Sequence, residues 1–255
     1  MGVQFSPLQR FGNAHLGAFW KRLGPEWPNI CDAPPLPPQF EKFEGERWIE
    51  PGLRFTLKQE VNVRIQIRNE GGDRMVQVQN GRFHYNWLGE GGCQYPRYNT
   101  VRPEFDNLLE QFRSFVSEEG LGSITEDQWE VTYVNHIPKG SIWNTIGEWA
   151  EVFRPVAALP LRAGSARLMN CGGEWSYDIE PKLGRLHVRL QRGRATVTEG
   201  PELMIVTLTA RGPLGNPESG ARTLADGLDL GREAIVKAFY DLTTEKAHRH
   251  WGESS

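Results

Sequence analysis

Arg64, Arg68, Arg82, His84, Arg185, His187 and Arg189 stand at the polar positions of stretches that alternate apolar with polar residues, together with Gln66, Gln77 and Gln191. Guanidinium and imidazole groups repeated along one face supply the chemistry of phosphate and carboxylate recognition. Acidic side chains gather elsewhere: Glu104, Asp106, Glu110, Glu118 and Glu119 in one helical stretch, and Glu233, Asp241 and Glu245 in another. The pattern predicts a basic sheet face opposite an acidic helix face. Arg82, His84 and Arg189 would be contact residues on a platform for RNA, DNA or an acidic partner protein. The plainer reading is a solvated sheet surface whose arginines discourage edge-to-edge pairing.

A second candidate is Tyr95-Pro96-Arg97-Tyr98 with Arg102. Two phenols and two guanidiniums beside a helix start suit a phosphate, a carboxylate or a protein hot spot. The alternative has the tyrosines covering a sheet edge and Arg102 pairing with a nearby acid. His136 ends a strand-like stretch. It is either buried and hydrogen-bonded or, with His84, part of a site assembled from distant residues. His248-Arg249-His250 puts two imidazoles at i and i+2, which point apart on a helix, and cations near a helix C-terminus complement its dipole. There is no Gly-x-Ser-x-Gly elbow, no phosphate-binding Gly-x4-Gly-Lys-Ser/Thr loop and no His-Glu-x-x-His. The six histidines (His15, His84, His136, His187, His248, His250) show no Ser or Cys partner in sequence, so the chain leans towards a non-enzyme and no cofactor is expected.

The elements that must position these groups follow from periodicity. Leu16, Phe19, Trp20 and Leu23 predict a short helix within 12–28, halted at Pro25 and Pro28. Ala33-Pro34-Pro35-Leu36-Pro37-Pro38 forbids helix and favours a polyproline-like connection, able to lie along the outside of a domain at low entropic cost. Val61 to Arg68, Val76 to Gln79 and Arg82 to Trp87 alternate with period two, the last two separated by Asn80-Gly81, and predict a meander of antiparallel strands. Phe105, Leu108, Leu109, Phe112, Phe115 and Val116 form a helical stripe, with Pro103 suited to its first turn and Gly120 and Gly122 stopping it. Trp129, Val131 and Tyr133 restore period two. Trp175 to Ile179 and Leu186 to Leu190 alternate likewise, Leu203 to Ala210 is apolar on both faces like a central strand, and a helix from about Asp229 carries Ile235, Ala238, Phe239 and Leu242 inward.

The predicted class is therefore α+β: two strand-rich halves, each followed by a long helix, with antiparallel sheet covered on one face by helices. The halves are 1–137 and 173–255, joined by an irregular connection at 138–172, and are expected to share one sheet in one compact unit.

The chain has 255 residues, a net charge of -3, 38% hydrophobic and 11% aromatic residues. That is too apolar for a disordered protein and long enough to bury a core without disulfides. No apolar run is long enough to span a membrane, and the start lacks a secretory pattern. Cys31, Cys93 and Cys171 are odd in number and widely spaced, which suits free thiols in a reducing cytoplasm and not a metal site. Near-neutral charge disfavours strong non-specific nucleic-acid binding.

The run Gln77 to Trp87 continues through Tyr95-Pro96-Arg97-Tyr98, Val101-Arg102-Pro103 and Phe105, and closes with Trp129 to Ile137. In these segments, and in His15 to Trp20, Pro34 to Pro38 and the last helix, the chain resembles a sporadically distributed family of uncharacterised bacterial proteins of about this length. The resemblance brings no activity. Patchy occurrence implies mobile genes, as in defence or toxin–antitoxin loci, and a protein partner encoded nearby. It also implies an apolar first strand that begins before Val3, which Met1 would cut short. The leading expectation is a cytoplasmic, non-catalytic protein-binding component; the alternative is a nucleic-acid-binding or nucleic-acid-processing protein using the basic sheet face.

Overall fold

Period-two alternation places side chains on opposite faces of a strand, and the three stretches where it is sharpest become β3 (Arg64–Arg68), β4 (Arg74–Gln79) and β5 (Arg82–Trp87). The computed structural model describes residues 1–43, 63–89, 95–156, 168–195, 200–215 and 222–252. Cys93 lies outside the described residues, as do Val61 and Asn62. Around the meander the chain adds β1 (Gly2–Phe5), α1 (Asn13–Leu23), β2 (Asn29–Ala33), α2 (Tyr98–Glu118) and β6 (Glu126–Pro138). After a 3₁₀ helix (Ile146–Glu151) come β7 (Gly173–Ile179), β8 (Gly184–Arg194), β9 (Glu202–Pro213), α3 (Leu224–Leu242) and α4 (Glu245–Trp251). The nine strands form one antiparallel sheet in the order β2-β3-β4-β5-β1-β6-β9-β8-β7, and the class is α+β.

The chain divides into two compact units, Met1–Trp129 with Pro213–Leu224 and Glu130–Gly212 with Ala225–Ser255. The exchange falls inside β6, at Trp129 and Glu130.

In the first unit the core is aromatic. The Phe112 ring lies 5.1 Å from Phe19, 5.4 Å from Phe83, 5.9 Å from Phe5 and 6.0 Å from Phe11, which ties α2 to α1, β5, β1 and the loop after β1. The stripe of α2 is buried as its spacing requires, each side chain contributing roughly 1.5–3 kcal/mol. The helix starts earlier than expected: Tyr98 opens it, behind Arg97 at φ 68°, and Pro103 lies inside. Glu104 anchors this first stretch to the sheet, accepting from Arg74 Nε at 2.9 Å and from the Tyr85 hydroxyl. Burial, and then the bond to Glu104, push the Tyr85 phenol up.

In the second unit β9 lies between β6 and β8, as its two-sided apolar pattern implied. Leu186, Val188 and Leu190 are buried on β8, and Val206, Leu208 and Ala210 on β9. The stretch at 138–172, read as irregular, supplies core: Trp143, Trp149, Val152 and Phe153 are fully buried. Trp143 Nε1 donates to Ile137 O at 3.0 Å, and its ring meets Trp149 edge-on at 5.5 Å. Helix α3 begins at Leu224, before Asp229, so Gly227, Leu228 and Gly231 join Ile235 in its buried stripe, while Ala238, Phe239 and Leu242 are only half-buried.

Candidate functional site

Prolines at 34, 35, 37 and 38 leave the segment from Pro34 to Glu41 with few backbone N–H donors. The donors of Leu36, Gln39 and Glu41 all end on glutamine side chains of the first unit's sheet: Leu36 N on Gln79 Oε1 at 2.9 Å, Gln39 N on Gln4 Oε1 at 3.2 Å, Glu41 N on Gln128 Oε1 at 2.8 Å. The same three amides donate back, Gln79 Nε2 to Leu36 O at 2.8 Å, Gln4 Nε2 to Gln39 O at 3.1 Å and Gln128 Nε2 to Gln39 O at 2.6 Å. Between them Arg82 reaches Pro37 O at 3.4 Å and Gln4 Oε1 at 2.7 Å.

Register explains the fit. Gln79 is paired with Arg82 and Arg82 with Gln4, so the three stand in a row across β4, β5 and β1, and Gln128 extends the set to β6. Strands lie ~4.8 Å apart, so Gln79 and Gln4, two strands apart, are separated by ~9.6 Å. A polyproline helix rises ~3.1 Å per residue, so in that conformation, which the prolines favour, three residues from Leu36 to Gln39 span ~9.3 Å. The strap crosses the strands in step with them.

This changes the reading of Arg82 and His84. The sequence placed both on a displayed basic face; Arg82 is 5% exposed beneath the strap. His84 is buried too, its ring packed so closely over Gly2 that a methyl at that glycine would overlap it. In the second unit the arginines meet acids on neighbouring strands: Arg185 with Asp178 at 3.1 Å, Arg189 with Glu174 at 3.2 Å, Arg211 with Glu130 at 3.2 Å. Cross-strand register puts each acid of β7 opposite its arginine of β8. Ser176 Oγ lies 3.0 Å from His187 Nδ1, but this pair is on the open sheet between those ion pairs, without the enclosure a nucleophile needs. At these three arginines the face pairs each positive charge with a carboxylate.

Tyr95 is exposed and meets Trp87 edge-on at 5.2 Å. Arg102 Nε bonds Asp106 at 3.0 Å and its Nη1 donates to the Tyr98 hydroxyl at 3.2 Å, so the plainer alternative for Arg102 describes the geometry. Arg97 is exposed at the α2 N-cap. His84 belongs to the first unit and His136 to the second.

His136 is exposed and lines a cleft of about 450 Å³ in the second unit, with Val134, Ser141, Phe239, His250 and Trp251. Strand β6 supplies Val134 and His136 from its exposed positions, and α4 supplies His250 and Trp251, whose ring stacks on Phe239 at 5.6 Å. His248, one turn position away from the cleft, is buried against Tyr240, its Nε2 2.8 Å from Thr243 Oγ1. The lining of the cleft contains no carboxylate and no Lys or Arg. Such a surface takes an aromatic or branched aliphatic group, with imidazole, hydroxyl and Asn135 amide available to orient it.

Sequence reasoning singled out His136 but missed Val134, Phe239 and Trp251, which only the packing of α3 and α4 gathers, and it missed Gln4, Gln79 and Gln128. The available signal for the glutamines was the proline run itself, whose few remaining N–H groups need acceptors. Among the described residues no three His, Cys, Asp or Glu side chains gather as a metal site, Cys31 and Cys171 are free thiols, and no helix is long and apolar enough to cross a membrane. No family model, curated protein or solved structure matches the chain.

Proposed function

We propose that this chain is a non-catalytic protein-binding component that receives a partner's apolar or aromatic side chain in the cleft of its second unit. The observation that carries the reading is the exposure of Val134 (54%) and Trp251 (37%) beside that cleft. Large apolar groups left open around a concavity mark contact surfaces, and tryptophan is enriched at binding hot spots. Most of the large apolar side chains left exposed among the described residues, Met169, Tyr177 and Tyr240 included, belong to the same unit. We further read the chain as two strand-rich halves, each closed by a long helix, acting in the cytoplasm. The likeness to a patchily distributed bacterial family supports a mobile, defence or toxin–antitoxin-type locus, with the partner encoded nearby.

The test is titration of the purified chain with the products of adjacent genes. One product binds, and Val134→Glu with Trp251→Ala weakens that binding at least about tenfold, the scale of a lost hot spot. Absence of any binding product, or equal binding by the variant, would defeat the reading.

A nucleic-acid reading retains one supporting observation. Around Glu202 three cations converge, Arg192 at 2.6 Å, Lys139 at 3.5 Å and Arg194 at 3.6 Å, a local surplus of positive charge at the end of β8 and β9. Under this reading Lys139→Glu with Arg194→Glu lowers retention on heparin and flattens its salt dependence; unchanged retention removes it.

A further inference from the structure

We infer that the row Gln79–Arg82–Gln4–Gln128 is a binding site for extended, proline-interrupted peptide, and that the strap from Pro34 to Glu41 is its tethered occupant. The site is distinct from the cleft of the second unit and stands whether or not that cleft binds a partner. Its natural ligand is a proline-rich segment of another protein presented in the same conformation.

Three features carry this. Recognition runs through the backbone: the bonds described above from the row to the strap end on main-chain N–H or C=O groups. A peptide with donors at the same spacing therefore meets the same amides whatever its side chains. Next, the strap is not anchored by burial: Pro34, Pro35, Pro37, Pro38, Gln39 and Phe40 are all exposed, Phe40 by 45%. Leu36 and Glu41 alone are half-buried, and a segment held by hydrogen bonds that water can replace, with so little apolar burial, belongs to the part of a fold that opens locally. The row beneath, by contrast, stands on paired strands of the sheet, whose register sets the spacing of Gln79, Arg82 and Gln4. The receptor is preorganised and the ligand is loose, which is the arrangement of a competed site. Proline keeps the ordering cost of an incoming segment low, because its conformation is already extended.

The occupant is covalently attached and so acts at an effective concentration of roughly millimolar. Free peptide must therefore bind the native protein poorly, and bind well once the strap is weakened. Leu36→Pro with Gln39→Pro weakens it: proline favours an extended backbone and lacks the N–H, so the two bonds donated to Gln79 and Gln4 are lost. The probe is a fluorescent peptide with the sequence of residues 33–43, followed by anisotropy. The expected result is saturable binding to the double variant at least about tenfold tighter than to the native chain. The same peptide carrying the two prolines binds at least tenfold more weakly still. No saturable binding to a variant that melts cooperatively, or equal binding of both peptides, overturns the proposal. If the variant does not fold, amide exchange on the native chain decides: excess peptide accelerates exchange at Leu36, Gln39 and Glu41 if it displaces the strap, and leaves it unchanged if the row is only a staple.

Discussion

Gln4 and Gln39 bond to each other twice: the Gln4 amide donates to the Gln39 carbonyl at 3.1 Å and accepts from the Gln39 N–H at 3.2 Å. The two residues are otherwise unlike. Gln4 is buried in a strand inside the sheet, and Gln39 is an exposed residue of the strap. One side chain so satisfies a stretch of main chain that has no ladder of its own.

Replacing that side chain tests the arrangement. Gln4→Leu removes both bonds and the acceptor for Arg82, leaving a buried guanidinium with one partner fewer. The expected loss is about 1–3 kcal/mol in urea unfolding, the cost of a stranded buried polar group. A change within about 0.5 kcal/mol, usual for a surface site, would show that the bonds made by Gln4 add nothing measurable to the fold.

Gly2 is required by its neighbour, not by its own torsion. An added methyl would run into the His84 ring, so Gly2→Ala is expected to destabilise by about 1–3 kcal/mol, the range for overpacking. In the double variant with His84→Ala the two effects fall short of their sum, because the clash has been removed. Strict additivity in thermal or urea unfolding would argue against the close packing.

Phe112 touches four aromatic rings from separate parts of the first unit. Phe112→Ala is expected to cost about 3–5 kcal/mol, and Phe112→Leu clearly less, since it keeps most of the volume. Both are read from denaturant midpoints at unchanged m-value.

The Arg192 hydrogen bond holds the Glu202 carboxyl below its ordinary value of 4.5. Its ion-pair stabilisation is therefore full above that value and is lost as pH falls through the lower folded value. Melting temperatures of the native chain and Glu202→Gln should differ by a constant amount from pH 7 to about 5 and converge below it. A gap that persists in acid would mean the difference arises elsewhere.

Local periodicity made much of the fold legible. Ile65, Ile67, Val76 and Val78 announce their strands because one-sided burial forces alternation, and Phe105 to Val116 announce a helix because its stripe has one wide apolar face. The segments that escaped lack a period. Trp143 and Trp149 enter the core from a 3₁₀ helix and its approach, and α2 begins at Tyr98 because Arg97 turns the chain there, a torsion no composition reveals. The candidate sites were less legible still. Arg82 looks displayed from its parity alone; only the pairing of Gln79 with Arg82 and of Arg82 with Gln4 shows where Leu36 and Gln39 must land.

The strap also has a place in time. Its bonds join residues 35 to 89 positions apart, and the side chains that receive it, Gln4, Gln79, Arg82 and Gln128, sit on four strands, the last of them β6. Contacts of such separation wait until the chain has already lost most of its freedom. Laying the strap across the sheet is thus a late folding event, and exchange protection of the Leu36, Gln39 and Glu41 N–H groups reports that β1, β4, β5 and β6 have found one another.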